Sequence, residues 1–114
     1  MAKGDKLYHQ ALKLASQKKY NHLEVIVLLT KAIDKYHNSK AAYALATWYL
    51  FGKHVRKNYV KAFQSYLLAS FYGNSKAKYE VGRCFYYGFG VLKDTEFGYE
   101  ITTLFSVPPT IKNM

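Results

Sequence analysis

Four histidines, one cysteine and seven carboxylates are the side chains of this 114-residue chain that could do acid–base, nucleophilic or metal chemistry. Their spacing assembles none of these. His9, His22, His37 and His54 each lack the cysteine or carboxylate partners that complete a metal-ligand set. His22 and His37 fall at opposite ends of one expected helix, too far apart to share an ion. All four read as solvent-facing turn or helix residues. Cys84 lies on an apolar stripe, so it reads as a small buried hydrophobe and not a nucleophile. Asp94 reads as a helix cap, and Glu96 and Glu100 share a solvent-facing side at i,i+4; with Glu80 they make no catalytic pair. Gly88-Phe89-Gly90 lacks the following Gly-Lys-Ser/Thr of a phosphate loop, and no strand precedes it. No catalytic residue, no metal site and no cofactor is expected.

The elements that position these residues are announced by an internal repeat. Shifting the chain by 36 residues lays Asn38-Ser39-Lys40-Ala41 on Asn74-Ser75-Lys76-Ala77. Tyr36, Tyr43, Gly52, Val55, Lys57 and Leu68 then fall on Tyr72, Tyr79, Gly88, Val91, Lys93 and Leu104. Ten identities arise where roughly two would occur by chance, and a period of this length points to stacked helical units. Within a unit, Ala41, Ala44, Leu45, Trp48 and Tyr49 recur at helical spacing. So do Tyr59, Ala62, Phe63, Tyr66 and Ala69. The spacing predicts helices over 39–51, 59–72, 75–87 and about 95–106. Asn58 and Asn74 serve as N-caps, and Gly52 and Gly88 as first-helix exits with positive φ. Leu7, Ala11, Leu14 and Ala15 predict a further helix over 6–17. Asn21 with Glu24 resembles a capping box that opens 22–37.

Composition agrees. Half the residues are hydrophobic and 18% aromatic, which suffices for a core. A single cysteine excludes a disulfide framework. The longest apolar run, Val25 to Leu29, is too short to cross a bilayer. The start carries no apolar signal segment, and with the lone thiol this suggests a cytoplasmic protein. The net charge is +10, unevenly spread. Residues 1–79 hold fourteen Lys and Arg against three acids, whereas residues 80–114 hold three against four. A basic face favours an anionic partner.

The pattern Ala41, Leu45, Tyr49, Gly52, Val55, Lys61-Ala62, Tyr66, Ala69-Ser70, Gly73 resembles the Sel-one-like repeat, a relative of the tetratricopeptide repeat. The next unit repeats it as Ala77, Val81-Gly82, Phe85, Gly88-Phe89-Gly90-Val91 and Lys93-Asp94. The resemblance implies an all-α, right-handed α-solenoid of about three helix-turn-helix repeats. These are a loose tetratricopeptide-like pair over 5–37, repeats over 38–73 and 74–106, and a tail over 107–114, in one domain. Three positions depart from the pattern. Ala46 and His54 stand where glycines are preferred, and Gly98 replaces a packing alanine, from which imperfect docking of the last helix is expected.

The resemblance also implies binding, not catalysis, through a groove lined by the first helix of each pair. The positions facing that groove are Lys40, Tyr43, Thr47 and Leu50, then Lys76, Tyr79, Arg83 and Tyr86. Tyr and Arg are frequent interface anchors. The expected function is a non-enzymatic, stoichiometric binder of a protein with an acidic surface, such as an adaptor, a chaperone-like protein, or an immunity or inhibitor protein against a bacterial toxin or enzyme. Nucleic-acid binding is the alternative. It is disfavoured because the lysines scatter over several faces and no recognition motif appears. The last unit is aromatic (Phe97, Tyr99, Phe105), so either the tail folds back over it or a weak homodimer forms through it; otherwise the chain is a monomer.

Overall fold

The computed structural model describes residues 2–105. It contains six helices: α1 (Asp5–Ala15), α2 (His22–Tyr36), α3 (Ser39–Phe51), α4 (Tyr59–Phe71), α5 (Ser75–Tyr87) and α6 (Thr95–Phe105). They pack in chain order as three hairpins stacked into a solenoid measuring 45 × 31 × 26 Å. The fold expected from the repeat is thus present, with α1 ending at Ala15, two residues earlier than the apolar spacing predicts.

Each boundary has a chemical cause. Asn38, Asn58 and Asn74 place their Oδ1 to accept from the amides of Ala41 (2.9 Å), Lys61 (3.0 Å) and Ala77 (2.9 Å). Asp94 does the same for Phe97 at 3.0 Å, so this carboxylate is a cap. Each such bond satisfies an amide that the first helical turn leaves without a partner. Asn21 caps α2 through Leu23 and Glu24; no return bond from Glu24 completes a capping box among the described residues. Gly52 and Gly88 end α3 and α5 at φ 70° and 78°. The repeat extends to the loop hydrogen bonds. The Asn58 amide donates to the Tyr49 carbonyl at 2.9 Å, and 36 residues on the Asp94 amide donates to Phe85 at 2.8 Å.

The core is built from small residues where helices approach (Ala11, Ala32, Ala41, Ala46, Ala62, Ala69, Ala77) and from a few large ones (Leu29, Ile33, Trp48, Tyr66). Cys84 is buried among them, and burial pushes its thiol up to about 11. Gly98 corrects the expectation of a poorly docked last helix. It is buried. A Cβ there would collide with the Tyr86 amide and lie 2.6 Å from the Gly82 carbonyl oxygen. At Gly82, a Cβ would meet Ile101 Cγ2 at 2.8 Å and the Thr102 amide nitrogen at 2.9 Å. The two glycines let α5 and α6 approach backbone to backbone, a closer contact than alanine allows.

A polar lock joins α1 to α3. Asp5 is 2% exposed. Its Oδ1 accepts from Asn38 Nδ2 at 2.8 Å, and its Oδ2 from Lys40 Nζ at 3.0 Å. The Asn38 amide and then the Lys40 ammonium hold this carboxyl below its usual range. The expected fold-back of the tail concerns residues outside those described.

Candidate protein-binding groove

The first helices of the last two pairs bring Tyr43, Ser75, Lys76, Tyr79, Glu80 and Arg83 around a depression of about 590 Å³, closed at one end by Phe105 of α6. Four of the eight groove residues chosen from sequence meet here: Tyr43, Lys76, Tyr79 and Arg83. Lys76, Tyr79 and Arg83 share one face of α5 at i, i+3 and i+7, and Tyr43, 36 residues before Tyr79, reaches the same depression from α3.

The other four are occupied elsewhere. Lys40 pairs with Asp5 at 3.0 Å. Thr47 Oγ1 donates to the Tyr43 carbonyl at 3.0 Å and shares a 2.9 Å hydrogen bond with the Tyr66 hydroxyl. This satisfies Tyr66, which is fully buried. Leu50 is 7% exposed and belongs to the core, so it offers nothing to a groove ligand. Tyr86 lies beyond the depression, its ring edge-on to Tyr87 at 5.0 Å.

Glu80, which the sequence grouped with the acids of the last helix, proves to organise the floor. Arg83 Nη1 donates to Glu80 Oε1 at 2.8 Å. The Tyr43 hydroxyl approaches Glu80 Oε2 at 3.5 Å. Arg83 is therefore not a free fork; Glu80 holds it cationic, above its ordinary value. Burial, and then the Glu80 charge, raise the Tyr43 phenol. The sequence signal for this pair was present, since Glu80 and Arg83 stand at i,i+3. Lys76 enters no ion pair among the described residues. The groove thus offers, among the described residues, one cation outside any ion pair, one neutralised pair and aromatic walls, a surface suited to anchoring a side chain.

His54 departs from the expectation of simple exposure, whereas His9, His22 and His37 are exposed. His54 adopts φ 65° at the loop position where the next repeat has Gly90. His22 Nδ1 donates to the His54 carbonyl at 2.8 Å, and the Tyr20 hydroxyl meets His54 Nδ1. Trp48 packs edge-on against the imidazole at 4.7 Å. Burial, then Lys53, then His22 lower the His54 pKa, so the neutral ring accepts from Tyr20. Among the described residues no group of three metal-ligating side chains occurs, and no helix is long and apolar enough to cross a membrane.

The Sel1 repeat model matches residues 39–70 and 75–101. No curated protein matches the chain. The fold is similar to the crystal structure of a Sel1 repeat protein from Oxalobacter formigenes. The TM-score is 0.77 and the identity 22%, over 88% of this chain and 77% of that one. Sel1 repeats are protein–protein interaction modules. With α3–α4 and α5–α6 each forming one matched unit, this chain belongs to the Sel1 repeat family.

Proposed function

We propose that this chain is a non-enzymatic binder of a protein partner with an acidic surface, held in the groove between α3 and α5. The observation that carries the reading is the convergence of Tyr43, Lys76, Tyr79 and Arg83 on one depression. Aromatic anchors in a pocket rimmed by cations are the usual composition of an interface centre. An excess of eleven positive charges over residues 1–79 speeds encounter with an acidic surface. An adaptor, a chaperone-like protein and an immunity or inhibitor protein all fit this description. The buried lone thiol suits a reducing, cytoplasmic setting.

The test is capture of a partner with the full chain, identification by mass spectrometry, and affinity measurement on groove variants. Tyr79→Ala is expected to cost about 2 kcal/mol of binding as an anchor, and Lys76→Glu a similar amount by charge reversal. Lys76→Glu should not shift the melting temperature appreciably, since Lys76 is exposed, and a melting curve checks that Tyr79→Ala, whose residue is 37% exposed, remains folded. Arg83→Ala is a poorer probe because it strands the half-buried Glu80. Unchanged affinity in both variants would move the interface off this face. Steeply salt-dependent binding to random-sequence nucleic acid would replace the reading with the electrostatic alternative.

A further inference from the structure

A second depression, of about 510 Å³, lies between the starts of α2 and α4. Leu23 and Ile26 form one wall, Val55 and Arg56 of the α3–α4 loop another, and Lys61 stands at the rim. No carboxylate lines it. Arg56 has no ion-pair partner among the described residues, and the Lys61 ammonium lies only over the Tyr49 ring, at 5.5 Å. Leu23 is 71% exposed. The cleft is cationic with an open apolar wall.

The far end of the molecule is its chemical complement. The buried side of α6 carries Gly98, Ile101 and Thr102, so helical spacing turns Glu96, Tyr99 and Glu100 outward. Tyr99 is 64% and Leu104 73% exposed. Residues 94–105 hold Asp94, Glu96 and Glu100 and no Lys or Arg. The repeat shows what such a face ordinarily meets. Phe63, which stands 36 residues before Tyr99, packs edge-on against Phe85 of the next helix at 5.6 Å. No following helix covers Tyr99 among the described residues.

We propose that these two surfaces join copies of this chain head to tail. The α6 face of one copy seats in the α2/α4 cleft of the next. Glu96 and Glu100 meet Arg56 and Lys61, and Tyr99 and Leu104 cover Leu23 and Ile26. Pairing of two α6 faces with each other is opposed, because it sets Glu96 and Glu100 of one copy against the same two carboxylates of the other. The two patches are different surfaces, so the contact is heterologous and can propagate. One helix face against one cleft makes a small interface of the transient class. Its charge pairing makes it weaken with salt.

The experiment is sedimentation velocity of the full chain over a rising concentration series at low and high ionic strength. The expected result is a weight-average mass that climbs with concentration at low salt and falls back with added salt. Lys61→Glu disables the cleft and Tyr99→Glu disables the α6 face, so each variant alone should stay monomeric. Their equimolar mixture should form dimers and nothing larger, because one intact cleft then meets one intact α6 face. Arg56→Glu serves as a second cleft variant, and circular dichroism checks that each variant folds. A wild-type chain that is monomeric throughout the low-salt series overturns the proposal, whether the tail or a foreign protein covers α6. Variants that self-associate like wild type, or a mixture that stays monomeric, overturn it equally.

Discussion

The α3–α4 and α5–α6 pairs share a repeat length, their asparagine or aspartate caps and their loop hydrogen bonds, yet they are closed by different means. In the first pair, the repeat sets the buried Ala46 and Ala62 on α3 and α4, and His54 fills the loop. In the second, Gly82 and Gly98 take the same places and Gly90 fills the loop. Deleting methyl groups brings α5 and α6 into backbone contact. A Cβ at Gly90 would overlap the Tyr59 carbonyl, so that loop lies directly on the start of α4. The first loop is held by a histidine that bonds Tyr20 and receives a hydrogen bond from His22. One repeat frame therefore accepts either close backbone packing or a side-chain network at equivalent joints.

The comparison breaks most readily at Gly90. Gly90→Ala adds both a positive-φ penalty and an overlap, and should cost about 3–5 kcal/mol in urea denaturation. His54→Ala, at the matching position, should cost only about 1 kcal/mol through its lost hydrogen bond with Tyr20 and lost contact with Trp48. Equal losses would mean that the two loops seat alike. Next comes the helix contact. Gly98→Ala should destabilise by about 2–3 kcal/mol from overpacking, whereas Ala62→Gly should cost about 1–2 kcal/mol from lost burial and added chain entropy. If Gly98→Ala is the milder change, α5 and α6 are not in backbone contact.

The third prediction sharpens the loop difference through pH. His54 titrates below its ordinary 6.5 in the folded chain, so the folded state holds fewer protons there than the unfolded state. Its contribution to stability is complete above about pH 6.5 and is lost as pH falls through the lower folded value. The denaturation midpoint should drop across that window in wild type and stay flatter in His54→Gly, which removes the titrating ring and keeps the backbone conformation. The smallest effect concerns Cys84, which replaces Trp48 at the equivalent place. With its thiol pushed up to about 11 by burial, labelling by a thiol reagent at neutral pH should wait for opening of the α5–α6 pair. Rapid labelling would show that this pair opens easily in spite of its close packing.

The helices, their caps and the stacking were legible because each rests on local chemistry repeated at a fixed interval: Asn38 against Asn74, Gly52 against Gly88. Of the proposed groove residues, Tyr43, Lys76, Tyr79 and Arg83 follow from the resemblance to tetratricopeptide-like arrays, and they line one depression. The assignment of Leu50 and Thr47 failed because the period says which face a residue shares, not how deeply the neighbouring helix covers it. Glu80 and the Asp5 lock escaped because both depend on partners. A carboxylate reads as solvated until its Arg83, or its Asn38 and Lys40 from 33 and 35 residues away, is placed beside it. Gly98 was misread because absence of a side chain looks like a defect until the opposing Gly82 supplies the space it is matched to.

The two asparagine seams carry a consequence for how such a protein can lengthen. Asn38 follows His37 at φ 50°, and Asn74 follows Gly73 at φ 94°. The backbone amide of each asparagine donates back into the preceding helix, to Ala32 at 3.1 Å and to Ala69 at 3.0 Å. The junctions before and after residues 38–73 therefore share a cap and a backbone return bond, and a Cβ at Gly73 would meet nothing within 4 Å. The segment between them is a cassette. A duplicated copy spliced in after Gly73 would find the caps it needs at both ends and would add another Lys-Tyr row to the groove. Gene duplication or engineering could thus enlarge the recognised surface in steps of one repeat, without redesign of the seams.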